Sequence, residues 1–442
     1  MIEAFNNHIK TSLSFLAKSK LLIAISGGLD SVVLTHLCHA LKLDITLAHC
    51  NFKLRGKESD EDEQFVLELG DALDLEVFVE YFDTETYAET EKLSIQMAAR
   101  ELRYNWFFDL AESLNFDYIL TAHHADDNLE TFLINLTRGT GLNGLTGIPE
   151  INDNIVRPLL PFSRAQIEGY AKENNLKWRE DSSNASDKYL RNKLRHDVIP
   201  HLKEVNPELL QSFRKTLNHL NDTADIVDES LNAVAKRAIV SINEYQITYK
   251  ISEFKKVNNP KAYLFEMFRA YGFTEWNDVV NLLDAQSGKQ VLSNTHRLIK
   301  DRTHLILADL CQTELKRITE EENFLINEYD TIINTSFGVL LFDEADAVAK
   351  SSKTTIYVDK DLLNFPLKLR HWNDGDVFYP QGMTGKKKLS KYFKDEKLSL
   401  VDKEQVWLLT SEDKIVWVIG MRADRHFTAN ENTKQILKIT LK

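Results

Sequence analysis

The sequence is poor in cysteine. Its 442 residues contain only Cys38, Cys50 and Cys311, and these do not form a Cys-x-x-Cys pair. This usage is typical of a reducing compartment and argues against a zinc or iron–sulfur site built from cysteine alone. The chain also lacks an apolar run near the ~20 residues of a membrane span. The first residues show neither the basic start nor the apolar core of a signal peptide. We therefore expect a cytoplasmic protein that does not contact a membrane.

Positive charge is also in short supply. The chain has 54 Lys and Arg against 67 Asp and Glu, a net charge of −13. That average is not typical of a nucleic-acid-binding protein, but it conceals two basic clusters. Segment 188–195 has four cations and no acid, and segment 386–397 has six lysines against two acids. A solvated helix face is the simpler interpretation of either cluster, and contact with a polyanion is the alternative. The candidate contacts are Arg191, Lys193, Arg195, Lys386, Lys387 and Lys388.

The apolar content of 43% and the aromatic content of 10% are typical of folded cores. Apolar runs predict strands over 21–25, 45–50, 76–82 and 118–121. Amphipathic patterns predict helices over 32–42, 60–73, 94–115 and 127–137. This alternation predicts an α/β fold in which a parallel sheet carries helices on both faces. Such sheets bind ligands at the carboxyl ends of their strands.

The first predicted strand ends in a glycine-containing loop. A helix N-terminus that follows such a loop directs its N–H groups, and the positive end of its dipole, at an anion. No Gly-Lys-Ser/Thr follows the glycines, so the loop is not a Walker A sequence. A plain glycine turn is the alternative interpretation. The candidate phosphate ligands are Ser26, Gly27, Gly28, Leu29, Asp30 and Ser31, and Asp30 is also the candidate magnesium ligand.

Two further polar clusters follow predicted strands and should reach the same sheet edge. The loop after the second strand contains Arg55, a further candidate contact with a polyanion. After the fourth strand, His123, Asp127 and Glu130 are spaced by four and three residues, which predicts one face of the fourth helix. Asp126 has the sequence position of an N-cap residue, and His124 is interpreted as a packed or capping histidine.

The rest of the chain predicts additional domains. Four glycines within 139–147 indicate a long, closely packed loop, and 203–240 reads as a long connecting helix. A small, mainly helical region follows, and alternating patterns after residue 325 indicate a β-rich or α+β domain. We expect a catalytic domain over 1–215, a helical linker and small substrate-binding domain over 216–322, and a C-terminal domain over 323–442.

Several segments together carry a family resemblance. They are Ser-Gly-Gly-Leu-Asp-Ser at 26–31, Ala-Ala-Arg-Glu-Leu-Arg-Tyr at 98–104, Thr-Ala-His-His-Ala-Asp-Asp-Asn-Leu-Glu-Thr at 121–131, Arg-Gly-Thr-Gly-Leu-Asn-Gly-Leu at 138–145, Glu-Asp-Ser-Ser-Asn at 180–184, Tyr-Leu-Arg-Asn-Lys-Leu-Arg at 189–195, and the glycine- and lysine-containing segment 375–389. In these segments the chain resembles the bacterial tRNA(Ile)-lysidine synthetases of the ATP-pyrophosphatase (PP-loop) superfamily. The loop after the second strand departs from the family, which usually has a His-Gly pair before Leu-Arg where this chain has Asn51, Phe52 and Lys53.

The resemblance implies a ligase with an adenine nucleotide alpha hydrolase-like fold. ATP and Mg²⁺ would adenylate the C2 carbonyl oxygen of cytidine 34 in an isoleucine tRNA with a CAU anticodon, and free L-lysine would displace AMP to give lysidine. Asp127 would be the base that deprotonates lysine, Arg103 would stabilise charge on the α-phosphate, and His123 and Glu130 would position the lysine. The C-terminal domain would read the acceptor-stem side of the tRNA.

Alternatives remain open. Asp127 could be a base or a metal ligand, and Arg103 could simply pair with a surface acid. A tRNA thiolase shares the phosphate loop but needs a sulfur-carrying or cluster-binding cysteine. Amidotransferase-type relatives need a glutaminase domain, for which we see no candidate. A non-catalytic tRNA-binding protein is favoured by loss of Asp30, Arg103 or Asp127, and all three are present. The sequence does not fix the oligomeric state, and a homodimer is one option.

Overall fold

A computed structural model describes residues 1–180, 190–243, 245–310, 324–349 and 351–442. These residues divide into two compact units, 1–228 and 229–442. Cys311 and residues 181–184 and 189 of the family motifs lie outside the described residues. The three-domain division stays a prediction, and its first boundary, after residue 215, falls inside a helix that runs over Leu209–Ala238.

The first unit contains alternating strands and helices, close to the expected positions. Its strands are β1 (Lys20–Ala24), β2 (Asp44–Asn51), β3 (Val77–Tyr81), β4 (Tyr118–Leu120), β5 (Ile151–Asn152) and β6 (Ile155–Val156). Its helices are α1 (Ile2–Ser12), α2 (Leu29–Ala40), α3 (Lys57–Leu73), α4 (Thr84–Thr90), α5 (Ile95–Leu114), α6 (Ala125–Arg138), α7 (Leu142–Leu145), α8 (Arg164–Glu173), α9 (Leu190–Lys193), α10 (Ile199–Val205) and α11 (Leu209–Ala238). A 3₁₀ turn covers Ser14–Lys18, and a π-helical turn covers Leu194–Val198.

The strands form one sheet in the order β3-β2-β1-β4-β6-β5. All neighbours are parallel except β5 and β6, which are antiparallel at the edge. Alternate residues of β1 enter two different cores: Leu21 and Ile23 pack in one, and Leu22 packs with Phe107 and Ile119 in the other. Helices therefore cover both faces, and the expected α/β class is confirmed. The carboxyl ends of β1 and β4 lie side by side, although their connections run to opposite sides.

The second unit contains three antiparallel sheets, in the orders β7-β8-β11-β10-β9, β12-β16-β19-β20 and β13-β14-β21-β15, and a β17-β18 pair. Its strands are β7 (Ile239–Ile242), β8 (Gln246–Lys250), β9 (Gln290–Leu292), β10 (His296–Asp301), β11 (His304–Asp309), β12 (Phe324–Ile326), β13 (Ile332–Thr335), β14 (Gly338–Ala345), β15 (Thr355–Asp359), β16 (Leu367–His371), β17 (Val377–Phe378), β18 (Lys387–Lys388), β19 (Trp407–Ser411), β20 (Lys414–Val418) and β21 (Ile436–Leu441). Its helices are α12 (Ile251–Lys255), α13 (Pro260–Phe268), α14 (Trp276–Asn281), α15 (Leu389–Asp395) and α16 (Leu400–Glu404), with 3₁₀ turns at Arg269–Tyr271 and Lys360–Leu362.

The β-rich C-terminal part is confirmed, and the preceding helix-rich region also contains a sheet that the sequence did not predict. Residues 239–310 carry a five-stranded sheet beside α12, α13 and α14. The hairpin of β10 and β11 places Leu298 opposite Leu307, and both are buried. Two apolar runs separated by Arg302 and Thr303 form a hairpin pattern that the helical periodicity of the neighbouring segments obscured. No helix among the described residues is long and apolar enough to cross a membrane.

Candidate active site

Residues 26–31, which we call the phosphate loop, follow β1 and lead into the first turn of α2. The loop is ordered by its own hydroxyl groups. Ser31 Oγ accepts a hydrogen bond from the Ser26 amide at 3.2 Å and donates one to the Gly28 carbonyl at 3.0 Å. Gly27 has φ of +83°, a conformation that side chains other than glycine rarely adopt. Gly28 is the N-cap residue of α2, so the first N–H groups of the helix follow the loop directly. The loop therefore has the structure of an anion cradle.

Asp30 lies at the start of α2 with one satisfied and one unsatisfied oxygen. Its Oδ2 accepts a hydrogen bond from Arg164 at 3.0 Å. Within the described part of the chain its Oδ1 is buried without a hydrogen-bond partner, and His124 Nε2 lies 3.7 Å away. Burial raises the pKa of Asp30, although His124 and Arg164 oppose that rise. A buried carboxylate oxygen that lacks a donor is suited to a cation.

The residues after β4 differ from expectation in their helix geometry. The N-cap of α6 is His124, not Asp126, and the His124 ring accepts the amide N–H of Asp127 while Asp127 Oδ2 accepts the amide N–H of His124. His124 is thus a buried capping residue, as one interpretation held. His123 precedes the helix and does not share its face, so that part of the prediction was wrong. The imidazole fills the capping role because its Nδ1 reaches the third amide as an aspartate oxygen would.

His123 is held in its neutral form. Its Nδ1 lies 3.0 Å from Thr121 Oγ1. Burial lowers the pKa of His123 to about 4, and Arg157, Arg191 and Arg100 add to that effect while Asp127 opposes it. A neutral imidazole is able to donate one hydrogen bond and accept another.

Asp127 and Glu130 are joined by the guanidinium of Arg195. Arg195 Nη2 is 3.2 Å from Asp127 Oδ1, and Arg195 Nε is 2.6 Å from Glu130 Oε1. Arg191 Nε lies 3.3 Å from Glu130 Oε2. Burial raises the pKa of Glu130, and the bond from Arg195 opposes that rise. Arg191 and Arg195, two of the candidate polyanion contacts, therefore bind these carboxylates, while Lys193 is exposed.

Asp126 does not cap α6, and its carboxylate instead connects neighbouring helices. Its Oδ2 accepts the amide N–H of Arg164 at 2.8 Å, and its Oδ1 accepts a hydrogen bond from Lys203 at 2.6 Å. Burial raises the pKa of Asp126, but these hydrogen bonds lower it by more. The residue ties α6 to the starts of α8 and α10.

One cavity of about 590 Å³ brings most of these groups together. Its wall includes the phosphate loop, Arg103, His123, Asp127, Arg191 and Arg195. Glu130 is only 1% exposed and lies behind this wall. The predicted convergence of the clusters after β1 and β4 is therefore present in the structure.

The wall also includes residues that the sequence did not single out. Arg164 bonds Asp30 from the first turn of α8. The Arg179 amide donates to the Gly27 carbonyl at 2.9 Å, so its segment crosses the phosphate loop. The Arg179 side chain bonds Asp62 Oδ1 at 3.0 Å. Arg164 and Arg179 are far from the loop in sequence, so no local sequence pattern could predict these contacts.

The remaining candidate residues lie outside the cavity. Arg55 Nη2 bonds Asp62 Oδ2 at 3.1 Å on α3. Lys386 and Lys388 are exposed in the second unit, while Lys387 pairs with Asp395 at 2.8 Å.

A magnesium ion fits the donor set only in part. No group of three or more His, Cys, Asp or Glu side chains within the described residues could hold a metal ion. Magnesium, however, is often bound by one or two carboxylates together with substrate phosphates. Asp30 Oδ1 next to the phosphate loop meets that requirement.

Comparisons with known proteins extend over most of the chain. The family model of the PP-loop domain matches residues 1–202, the model of the TilS substrate binding domain matches 242–310, and the model of the TilS substrate C-terminal domain matches 367–440. A tRNA(Ile)-lysidine synthase of Parabacteroides distasonis is 41% identical over 94% of this chain and 94% of its own. One of Bacteroides thetaiotaomicron is 39% identical over 97% of each chain.

Among solved structures, a U34-tRNA thiolase from Methanococcus maripaludis with its [4Fe-4S] cluster is similar with a TM-score of 0.41 and 17% identity. The match covers 49% of this chain and 78% of that chain. A likeness at this level carries no argument about function.

Proposed function

The chain belongs to the tRNA(Ile)-lysidine synthase family, and on that premise we propose that it joins free L-lysine to C2 of cytidine 34 in an isoleucine tRNA with a CAU anticodon. ATP is the co-substrate, and AMP and pyrophosphate are the other products. The observation that carries this proposal is one cavity containing both the Ser26–Ser31 loop and the Asp127 carboxylate. That pairing provides for both halves of the reaction.

In the first half, the C2 carbonyl oxygen of the base attacks the α-phosphorus and pyrophosphate leaves. The amides at the start of α2 and the hydroxyl groups of Ser26 and Ser31 hold the phosphates. Arg103, which lines the cavity, stabilises the charge that builds on the α-phosphoryl oxygens. Asp30 Oδ1 would hold Mg²⁺, which when bound neutralises charge on the phosphates.

In the second half, the ε-amine of lysine attacks C2, the C2–O bond to AMP breaks, and the amine loses its protons. The ammonium must first be deprotonated, and Asp127 is the carboxylate on the cavity wall that we assign to this step. Its Oδ2 is held by the His124 amide, which fixes the orientation of the carboxylate. Glu130 acts from behind the wall through Arg195.

The experiment combines the purified protein with ATP, MgCl₂, lysine and a transcript of the isoleucine tRNA. We expect one pyrophosphate and one AMP per lysidine, with lysidine identified at position 34 by nuclease digestion and mass spectrometry. A transcript with uridine at position 34 is the matched control and should remain unmodified. Pyrophosphate release that is independent of lysine and tRNA, with no modified base, would overturn the proposal.

A further inference from the structure

The arginines around the cavity fall into two groups according to their partners. Arg164, Arg191 and Arg195 each form an ion pair with a carboxylate of the site. In contrast, the contacts of Arg100 and Arg103 on α5 within the described residues are with aromatic rings, at 4.8 Å from Tyr104 and 5.2 Å from Phe52. The paired and the carboxylate-free cations thus belong to different elements of the fold.

Arg157, directly after β6, is a third arginine without a carboxylate partner among the described residues. It is 6% exposed, donates a hydrogen bond to the Pro149 carbonyl at 2.7 Å and lies near the Tyr104 side chain, with which its charge interacts. Its Nε is buried and has no hydrogen-bond partner among the residues that the structure describes, and burial lowers the pKa of its guanidinium. A buried cation without a carboxylate is costly in free energy, so its retention calls for a functional reason.

The side chain with which Arg157 interacts is a ring on the cavity wall. Tyr104 lines the cavity together with the phosphate loop and Asp127. The charge of Arg157 interacts with its hydroxyl, Arg100 covers one face of its ring, and the rings of Phe107 and Phe108 lie beside it with centroids 6.4 and 6.2 Å away. The ring is therefore held in a fixed orientation next to the reacting groups.

We propose that Tyr104 is the stacking surface for the target cytosine, that Arg100 meets a phosphate flanking that nucleotide, and that Arg157 positions the ring. This assignment rests on the proposed function, because it presumes an unstacked base as substrate. Single-stranded bases are commonly bound by stacking on aromatic side chains. Cations that lack a carboxylate partner remain available to the RNA backbone. In a chain with a net charge of −13, such cations provide local positive charge for binding RNA.

The test is a coupling experiment between the ring and the base. An anticodon stem–loop RNA carries either cytidine or an abasic nucleotide at position 34, and its affinity is measured by fluorescence anisotropy without ATP. Tyr104→Leu should weaken binding of the cytidine RNA by about 5- to 100-fold and leave binding of the abasic RNA nearly unchanged. Leu114→Ala, at the C-terminal end of the same helix and 36% exposed, is the matched control and should not alter either affinity.

Stacking itself has a spectroscopic readout. With the fluorescent analogue pyrrolocytidine at position 34, the wild-type protein and Tyr104→Phe should quench the fluorescence on binding, whereas Tyr104→Leu should not. Equal losses of affinity for the cytidine and abasic RNAs, or quenching that survives in Tyr104→Leu, would overturn the assignment.

The two arginines have separable effects. Arg100→Gln should weaken binding of both RNAs and reduce the salt slope by about one, whereas Lys172→Gln, an exposed cation of α8, should not. Arg157→Gln should reduce quenching and lower kcat/KM for tRNA without changing the KM for ATP. An unchanged salt slope in Arg100→Gln would overturn its phosphate contact, and unchanged quenching in Arg157→Gln would overturn its positioning role.

If the wild-type protein modifies tRNA but shows no coupling between Tyr104 and the base at position 34, this assignment alone is wrong. Failure of wild type to bind the stem–loop or modify tRNA defeats the proposed function first.

Discussion

Arg195 binds Glu130 through both oxygens of a carboxylate that is almost fully buried. Arg195 Nε lies 2.6 Å from Oε1 and Arg195 Nη2 lies 2.9 Å from Oε2, while Glu130 is 1% exposed. Two effects on the pKa of Glu130 oppose each other in this pair: burial raises the pKa and the hydrogen bond from Arg195 lowers it. Breaking a buried pair by removing one partner leaves an uncompensated charge.

Arg195→Gln should therefore destabilise the protein more at pH 7.5 than at pH 5. Without the guanidinium, the pKa of Glu130 rises further, so the folded state binds a proton that the unfolded state releases. Stability is then lost as pH rises above the unfolded pKa of Glu130. The measurement is the urea midpoint at both pH values, with wild type as reference.

Glu130→Gln in the Arg195→Gln background is the control, because a neutral amide removes the titrating group. The double variant should lose the extra pH dependence. An Arg195→Gln midpoint that falls equally at both pH values would show that Glu130 is not the group responsible.

Asp127→Asn should block lysidine formation while adenylated tRNA still accumulates. The amide oxygen can still accept the N–H of His124, so the start of α6 is retained, but an amide cannot take a proton from the lysine ammonium. Rapid quench with ATP labelled at the α-phosphate follows the adenylated tRNA and the lysidine product separately.

Asp126→Asn is the matched control on the same helical turn. Asp126 bonds Lys203 and the Arg164 amide, so its replacement should lower stability and leave the ratio of the two half-reactions unchanged. If adenylation also fails in Asp127→Asn, the carboxylate helps to hold Mg²⁺ and its assignment as base is wrong.

Local sequence patterns predicted the frame of this site. The apolar run before Gly27, the glycine with positive φ and the helix after it are successive in the chain, so one short window contains the phosphate loop. The alternation of strands and helices then placed the residues after β4 near that loop. These inferences succeed because each depends on a few neighbouring residues.

Contacts between distant segments could not be predicted in this way. Arg195 reaches Asp127 across 68 residues, and Arg164 reaches Asp30 across 134. Even locally, His124 and not Asp126 caps α6, because the Asp126 carboxylate is bound by Lys203 and the Arg164 amide. A polar side chain can act as a cap, an ion-pair partner or a ligand. Its role is decided by tertiary contacts that the sequence does not reveal.

Asp30→Ala should abolish pyrophosphate release and leave tRNA binding nearly intact. The substitution removes the buried Oδ1 that suits Mg²⁺ and the oxygen bonded by Arg164. Pyrophosphate release and filter binding of tRNA are measured on the same preparation. Asp44→Ala, at the exposed start of β2, is the control and should retain both. Parallel loss of activity and tRNA binding in Asp30→Ala would indicate misfolding or a purely structural role.

His123 should remain neutral well below the usual pKa of histidine. Burial and the charges of Arg157, Arg191 and Arg100 lower its pKa to about 4, so the imidazole should not titrate between pH 5.5 and 8. Long-range ¹H–¹⁵N NMR of the imidazole nitrogens, assigned with His123→Gln, reports both charge and tautomer. His201, whose side chain is 78% exposed, is the internal reference. A His123 midpoint near 6.5 would contradict the proposed environment.

The three lysines at 386–388 provide a test of the second unit. Replacing all three with glutamine should raise the KM for tRNA and flatten its dependence on salt, since each lost phosphate contact lowers the slope by about one. Lys387 already pairs with Asp395, so Lys386 and Lys388 should account for most of the change. The KM values for ATP and lysine should stay constant, because we assign both ligands to the cavity of the first unit.

The control for charge alone is a triple variant of exposed lysines in the first unit, Lys10, Lys18 and Lys172. It removes the same three charges, so any effect of net charge on tRNA encounter appears equally in both variants. A larger tRNA KM in the 386–388 variant than in this control assigns the effect to contact at that position. Equal KM values at physiological salt would instead identify the 386–388 cluster as a solvated surface, the simpler interpretation of a run of lysines.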